Sequence, residues 1–218
     1  SLQMSDKPIL YTYWRSSCAW RVRIALNLKG VEYESRSVNL LTKKGQFAEE
    51  CYEYNPSQKV PVFVHNGNAF LESLAIIEYI DEVFPGVRLL PSDPVQKAKA
   101  RALALHVACS CHPIQNLRVL QKLNAEEAGK GQKWAAYWLH EGLKELEQML
   151  QTTAGKYAVG DELTVADLCI PSILYNARRW GADISSFTTL LRLDADLSKL
   201  PAFSAAEPDN QPDAVKSS

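Results

Sequence analysis

Ser16-Ser17-Cys18 places two hydroxyls and a thiol at the junction between an apolar run and a helical pattern. At a helix start, free backbone N–H groups and the positive end of the helix dipole both favour an anion, so the position suits a thiolate. A serine hydroxyl there can donate a hydrogen bond to a bound thiolate, and each unit by which a thiol is acidified represents about 1.36 kcal/mol of preference for its charged form. Cys18 could instead be the nucleophile itself, its thiolate favoured by the helix start and by Arg15 or Arg21. The same residues also suit a plain N-cap beside a small core cysteine, so the triplet alone leaves function and structure evenly matched. A dithiol redox centre would need a second cysteine three positions after Cys18, where Arg21 stands, which disfavours disulfide exchange.

Two further stretches suit the same kind of ligand. A cis Val60-Pro61 bond would leave the backbone N–H and C=O of Val60 free to pair with an extended peptide, although an isolated X-Pro bond is more often trans. Glu72-Ser73 opens another helical pattern, where the Ser73 hydroxyl and unpaired N–H groups could receive a carboxylate and Glu72 an α-amino group. A thiolate cradle, a backbone pairing edge and a carboxylate site on one small fold together suit a small thiol peptide. Cys109-Ser110-Cys111-His112 invites a metal reading, but residues two apart on a helix do not share a face and no second cluster completes four ligands, so no metal is expected. Arg178-Arg179 suits either the negative end of a helix or a dicarboxylate held through bidentate hydrogen bonds.

The elements that position these residues follow from periodicity and punctuation. Pro8–Tyr13 reads as a buried strand, and Val22, Ala25, Leu26 and Lys29 recur at helical spacing up to Gly30, predicting an amphipathic helix. Val31–Val38 alternates as a second strand, parallel to the first through a right-handed crossover, and Gln46–Tyr54 reads as a short helix. Val60–His65 and Ala69–Leu71 flank Asn66-Gly67, a hairpin signal. Ser73 reads as the cap of a helix through Phe84 with Leu74, Ile77 and Ile80 on one face.

Three prolines and a glycine in residues 85–94 mark a domain boundary, after which no convincing strand appears. Residues 95 to 124 are rich in helix formers, and Leu139, Leu143, Leu146 and Leu150 line one helical face. Thr164-Val165-Ala166-Asp167 resembles a capping box, and Trp134, Trp138 and Trp180 read as core aromatics. The polar, proline-containing stretch from Pro201 predicts a weakly ordered tail. The domains are thus expected at residues 6–87, α/β with a mixed four-stranded sheet, and 92–212, all-helical.

The chain has 218 residues, 46% hydrophobic and 22% charged, with 24 basic against 25 acidic side chains and a formal charge of -1. That composition describes an ordinary globular protein and supplies no global basic field for nucleic acid or an anionic membrane. Five scattered cysteines suit a reducing compartment better than a disulfide framework. Ser1–Lys7 has no apolar leader-like run and Ser1–Gln3, ahead of Met4, reads as a cloning remnant, so a cytoplasmic protein is expected.

At Tyr13-Trp14-Arg15-Ser16-Ser17-Cys18-Ala19-Trp20-Arg21-Val22-Arg23-Ile24-Ala25-Leu26 the sequence resembles the zeta class of glutathione transferases. The resemblance continues through Asn55–Pro61, Glu72–Tyr79, Arg88–Pro91, Gln115-Asn116-Leu117 and Val159–Leu168, and loosens after Ser185. It implies a thioredoxin-like domain with a helical partner, glutathione as cofactor and a homodimer. The implied activity is isomerisation of maleylacetoacetate to fumarylacetoacetate in phenylalanine and tyrosine breakdown. Carried over by motif, Ser16 faces the thiolate, with Ser17 and Cys18 beside it as further catalytic candidates. Ser16, Ser17, Cys18, Ala19, Trp20, Arg21, Gln46, Val60, Glu72 and Ser73 would hold the peptide. His112, Asn116, Leu117 and Arg118 would approach it from the helical domain, and Arg15 and Arg179 would hold a small-molecule dicarboxylate substrate. His112 stands where relatives tend to have glutamine, Glu72 is acidic where some are amidic, and Arg118 adds bulk and charge. A broad transferase acting on electrophiles such as α-halo acids, and a non-catalytic glutathione-binding scaffold, are the competing expectations.

Overall fold

A computed structural model describes residues 7–215. The expectations for Ser1–Asp6, including the cloning remnant, lie outside the described residues. The chain divides into two compact units, one comprising the chain up to Val87 together with the segment from Pro201 onward, the other Arg88–Leu200.

In the first unit, β1 (Ile9–Thr12), α1 (Ser17–Leu28) and β2 (Glu34–Ser37) are followed by α2 (Ala48–Tyr54), β3 (Val62–His65), β4 (Asn68–Leu71) and α3 (Ser73–Val83). The sheet order is β2-β1-β3-β4, with β1 parallel to β2 and antiparallel to β3. Leu10, Tyr11, Val62 and Phe63 on the two central strands are fully buried, which is why their sequence is continuously apolar. Edge strand β2 reads Glu-Ser-Arg-Ser, a composition that discourages pairing with another chain. Asn66 and Gly67 both take positive φ, 50° and 74°, the conformation a two-residue hairpin turn requires.

The amphipathic expectation for α1 fails: every residue from Ala19 to Leu26 is buried, the two arginines included. The reason is that α1 is covered by α3 and by the C-terminal segment. That segment is not the weakly ordered tail its composition suggests. It forms α9 (Pro201–Ser204, by chain order) and a 3-10 turn at Pro208–Asn210, with Phe203 and Ala206 buried. Two apolar anchors and side-chain bonds to its carbonyls order it, and neither follows from helix propensity. At the far end of α1, the Lys29 ammonium lies 2.7 Å from the Asp81 carboxylate on α3, both side chains nearly unexposed. On α3 the core positions are Ile76, Ile77 and Ile80, with Leu74 only half-buried.

The second unit contains α4 (Pro94–Leu105), a π-helical turn (His106–Cys111), a 3-10 turn (Pro113–Gln115), α5 (Leu117–Glu126), α6 (Lys130–Leu150), α7 (Val165–Trp180) and α8 (Thr188–Leu197). The helical stretch expected over 95–124 is therefore broken around Pro113. Leu139, Leu143, Leu146 and Leu150 are all buried as their spacing predicts. Trp134, Trp138 and Trp180 are not core residues: Trp134 is exposed and the other two half-buried. The box at the start of α7 is present, with Asp167 Oδ2 accepting the Thr164 N–H at 2.8 Å and Oδ1 the Ala158 N–H at 2.8 Å. Burial pushes the Asp167 carboxyl up to about 6 despite those bonds. Among the described residues no helix is long and apolar enough to cross a membrane.

Candidate functional site

Tyr13-Trp14-Arg15-Ser16 forms a turn closed by the Ser16 N–H to the Tyr13 carbonyl at 2.9 Å. Ser16 is the N-cap of α1, and its Oγ accepts the Ala19 N–H at 3.2 Å. Capping occupies a lone pair of that hydroxyl and leaves its proton to be donated elsewhere, the property a thiolate partner needs. Ser17 is buried, whereas Ser16 and Cys18 are half-buried, so the structure separates three neighbours that the sequence left together. Ala19 and Trp20 are buried beneath them.

Arg21 sits one turn after Cys18 and is 1% exposed. Its Nη1 lies 3.3 Å from Ser73 Oγ and 3.9 Å from Cys18 Sγ, while Nε and Nη2 are buried with no hydrogen-bond partner among the described residues. A buried guanidinium with open donors is costly unless an anion satisfies it. Ser73 is not the cap of α3 but its first residue; Glu72 occupies the cap at φ 66° and ψ 119°, with no side-chain capping bond. A non-glycine residue held at such a φ costs of order 1–3 kcal/mol and is typical of ligand clamps. It leaves Glu72 exposed and the first N–H groups of α3 without a side-chain cap beside Arg21 and Ser73. Cys18, Arg21 and Ser73 are thus brought together from two helix starts.

The Val60-Pro61 bond is cis. Val60 precedes β3 and joins an apolar cluster with Tyr11, Ala19, Ala48 and Cys51. Gln46 is exposed just ahead of α2. The Arg15 guanidinium stacks 4.2 Å from the Trp14 ring, its buried Nε having no hydrogen-bond partner among the described residues.

In the helical unit, His112, Gln115 and Asn176 form a chain of polar groups. Gln115 Nε2 lies 3.2 Å from the His112 carbonyl, which can only accept, so this amide nitrogen also donates to His112 Nδ1 at 3.2 Å. Nδ1 is then the acceptor and Nε2 carries the proton of the neutral ring, a donor suited to a carboxylate. Asn176 Nδ2 donates to Gln115 Oε1 at 3.4 Å and fixes the same amide orientation. Asn116 caps α5 by accepting the Arg118 N–H at 3.3 Å; Leu117 is half-buried and Arg118 exposed. At the end of α7, Arg178 lies 2.7 Å from Asp194, and the exposed Arg179 holds its guanidinium 4.6 Å from the Trp180 ring. Cys109 is exposed and Cys111 buried, and among the described residues no three His, Cys, Asp or Glu side chains gather as a metal site. Gln115 and Asn176 were not legible as functional, since buried amides at separate places in the chain leave no local pattern.

A mixed sheet of this order, with anion-receptive helix starts at α1 and α3 and an all-helical second unit, defines a protein of the glutathione-transferase type. The sequence matches the glutathione S-transferase N-terminal domain over residues 7–82 and the C-terminal domain over residues 113–205. It is 52% identical over 209 residues to the probable maleylacetoacetate isomerase of Caenorhabditis elegans, covering 96% of this chain and 97% of that protein. The maleylacetoacetate isomerase of Anaeromyxobacter dehalogenans 2CP-1, crystallised with GSH bound in its active site, superimposes with a TM-score of 0.86 at 41% identity, over 96% of this chain and 98% of that one. Another crystal structure of that enzyme holds dicarboxyethyl glutathione and citrate. A bacterial zeta-class transferase, maleyl pyruvate isomerase, gives a TM-score of 0.89 at 35% identity, over 95% of this chain and 100% of that one. The chain belongs to the zeta class of the glutathione transferase family, the class of the maleylacetoacetate isomerases.

Proposed function

We propose that this protein is a glutathione-dependent maleylacetoacetate isomerase, producing fumarylacetoacetate in the breakdown of phenylalanine and tyrosine. The observation that carries the reading is Ser16, whose hydroxyl caps α1 through a lone pair and keeps its proton for an anionic sulfur. The residues present also fit the rest of glutathione: the two open donors of buried Arg21, beside Ser73 and the start of α3, suit the carboxylate of a γ-glutamyl group. Exposed Glu72 suits its ammonium. When bound, glutathione supplies a thiolate that adds to the cis double bond, permits rotation about the resulting single bond and departs unchanged.

Each protein group then has a task. Ser16 Oγ–H and the N-terminal dipole of α1 lower the energy of the negative sulfur, and the Arg21 charge near Cys18 adds to that field. Cys18 and Ser17 line this turn, Ala19 and Trp20 pack beneath it, and Val60 and Gln46 are assigned to the peptide backbone of the cofactor. Arg15 and Arg179 are assigned to the substrate carboxylates. The Nε2–H of His112 is assigned to a carboxylate of the ligand, with Asn116, Leu117 and Arg118 beside it in sequence. The protein is further proposed to work as a homodimer in the cytoplasm; its five cysteines, none of them in a disulfide among the described residues, suit a reducing compartment.

Purified protein is incubated with maleylacetoacetate with and without glutathione while trans product and free thiol are followed. Glutathione-dependent turnover with no loss of thiol supports the isomerase. Consumption of thiol in a conjugate would move the protein to the general transferases, and binding without turnover to a scaffold.

A further inference from the structure

The C-terminal segment is built into the turn that carries Ser16. Arg23, buried on α1, donates Nε and Nη2 to the Ala206 carbonyl at 3.2 and 2.9 Å. The same guanidinium reaches Thr12 Oγ1 at 3.1 Å, the Tyr13 carbonyl at 3.4 Å and the Trp14 carbonyl at 3.1 Å. From the other side, Asp213 Oδ2 accepts the Trp14 N–H at 3.0 Å. Both carbonyls at the start of the turn and the N–H between them are thereby satisfied: Tyr13 O serves Ser16 N–H and Arg23, Trp14 O serves Arg23, and Trp14 N–H serves Asp213. The segment holds its own shape through Asn210 to the Ser204 carbonyl at 2.7 Å and Gln211 to the carbonyls of Ala205 and Glu207 at 3.0 and 2.9 Å. It is fastened to α1 again by Asn27 Nδ2 on the Ala202 carbonyl at 3.0 Å.

We infer that Asp213 and Arg23 are positioning residues for the isomerase reaction, through which the C-terminal segment sets the orientation of the Ser16 hydroxyl toward the thiolate. The inference rests on the role proposed for Ser16. A tighter turn matters because a charge-assisted hydrogen bond weakens steeply with misalignment, and small displacements of a catalytic group are expensive in rate. Asp213 is the group to test, since Arg23 is buried and its removal would leave several carbonyls unsatisfied.

The experiment compares Asp213→Ala, Asp213→Asn and Ser16→Ala in the full chain. The readouts are kcat and KM for maleylacetoacetate, the ultraviolet thiolate absorbance of enzyme-bound glutathione against pH, and the melting temperature. Asp213→Ala should lower kcat about fivefold with KM little changed and move the thiolate titration upward, as loss of one aligning hydrogen bond predicts. Its melting temperature should fall by no more than about 4 °C. Asp213→Asn, which keeps an acceptor for the Trp14 N–H, should stay near the parent in all three. If Ser16→Ala moves the titration and Asp213→Ala does not, the positioning role is overturned while the function stands. An Asn variant as impaired as the Ala variant would overturn it too. If Ser16→Ala leaves the titration unmoved, the reading of the site itself fails.

Discussion

Replacement of Ser16 separates the capping bond that the structure gives its oxygen from the donor role proposed for the same hydroxyl. As acceptor of the Ala19 N–H at 3.2 Å, Oγ caps α1. Loss of such a cap to alanine costs about 1 kcal/mol, whereas glycine costs only a few tenths and aspartate retains the cap. As donor to a thiolate, the same group makes a charge-assisted bond with a net worth of about 1.5–3 kcal/mol. Lost in the transition state, that bond lowers turnover about 10- to 150-fold; lost in the bound cofactor, it raises the thiol by about 1–2 pKa units. The three variants should therefore rank differently in the two assays. In thermal melts, Ser16→Asp and Ser16→Gly stay close to the parent while Ser16→Ala melts about 2–4 °C lower. In isomerase assays all three lose turnover, and Ser16→Asp loses most because it places a negative charge beside the sulfur. Cys18→Ala provides the comparison that the Ser-Ser-Cys triplet demands, and it should retain most of the parent rate. Turnover that merely follows the melting temperature across the series would refute the donor role, and a dead Cys18→Ala with an active Ser16→Gly would transfer the chemistry to the cysteine.

Arg21→Met removes a buried charge with two open donors, so glutathione affinity should fall at least about tenfold by calorimetry while the ligand-free protein melts no lower than the parent. Asp167→Asn places an NH2 group against backbone donors that now have an acceptor at each carboxylate oxygen, and urea unfolding should show a loss of about 3 kcal/mol. His65, whose ring nitrogen meets the Tyr79 hydroxyl at 2.9 Å, is held below the usual imidazole range by burial, so the unfolded chain binds its proton more readily. Its contribution is fully present above about pH 6.5 and is lost as pH falls, by at most about 1.4 kcal/mol per unit until the folded pKa is reached. Urea titrations of the parent and His65→Phe at several pH values check this: the parent should lose ground to the variant only below that point, and a difference independent of pH would contradict it.

Local signals are legible in the sequence because each needs only a few neighbouring residues. Asn66-Gly67 specifies a hairpin through its own dihedral preferences, and Thr164 with Asp167 specifies a helix start through bonds across three positions. Ser16 at the end of an apolar run is legible for the same reason. The partners that aim those groups are far away along the chain: Arg21 reaches Ser73 across 52 positions, Arg23 reaches Ala206 across 183, and Trp14 reaches Asp213 across 199. The spacing of Val22, Ala25, Leu26 and Lys29 makes α1 read as amphipathic, and Arg21 and Arg23 between them would ordinarily face solvent, although the helix is enclosed. The misreading of the helix and the misreading of the tail have one cause. A buried guanidinium is tolerable only when carbonyls or an anion satisfy it, and for Arg23 one of those carbonyls belongs to the very segment whose polarity suggested disorder. For Arg21, no group among the described residues satisfies Nε and Nη2. The contrast between the two arginines, one saturated by protein and one left open beside Ser73, is what supports the cofactor role proposed for Arg21 and not for Arg23, and it becomes visible only after folding brings α1, α3 and the C-terminal segment together.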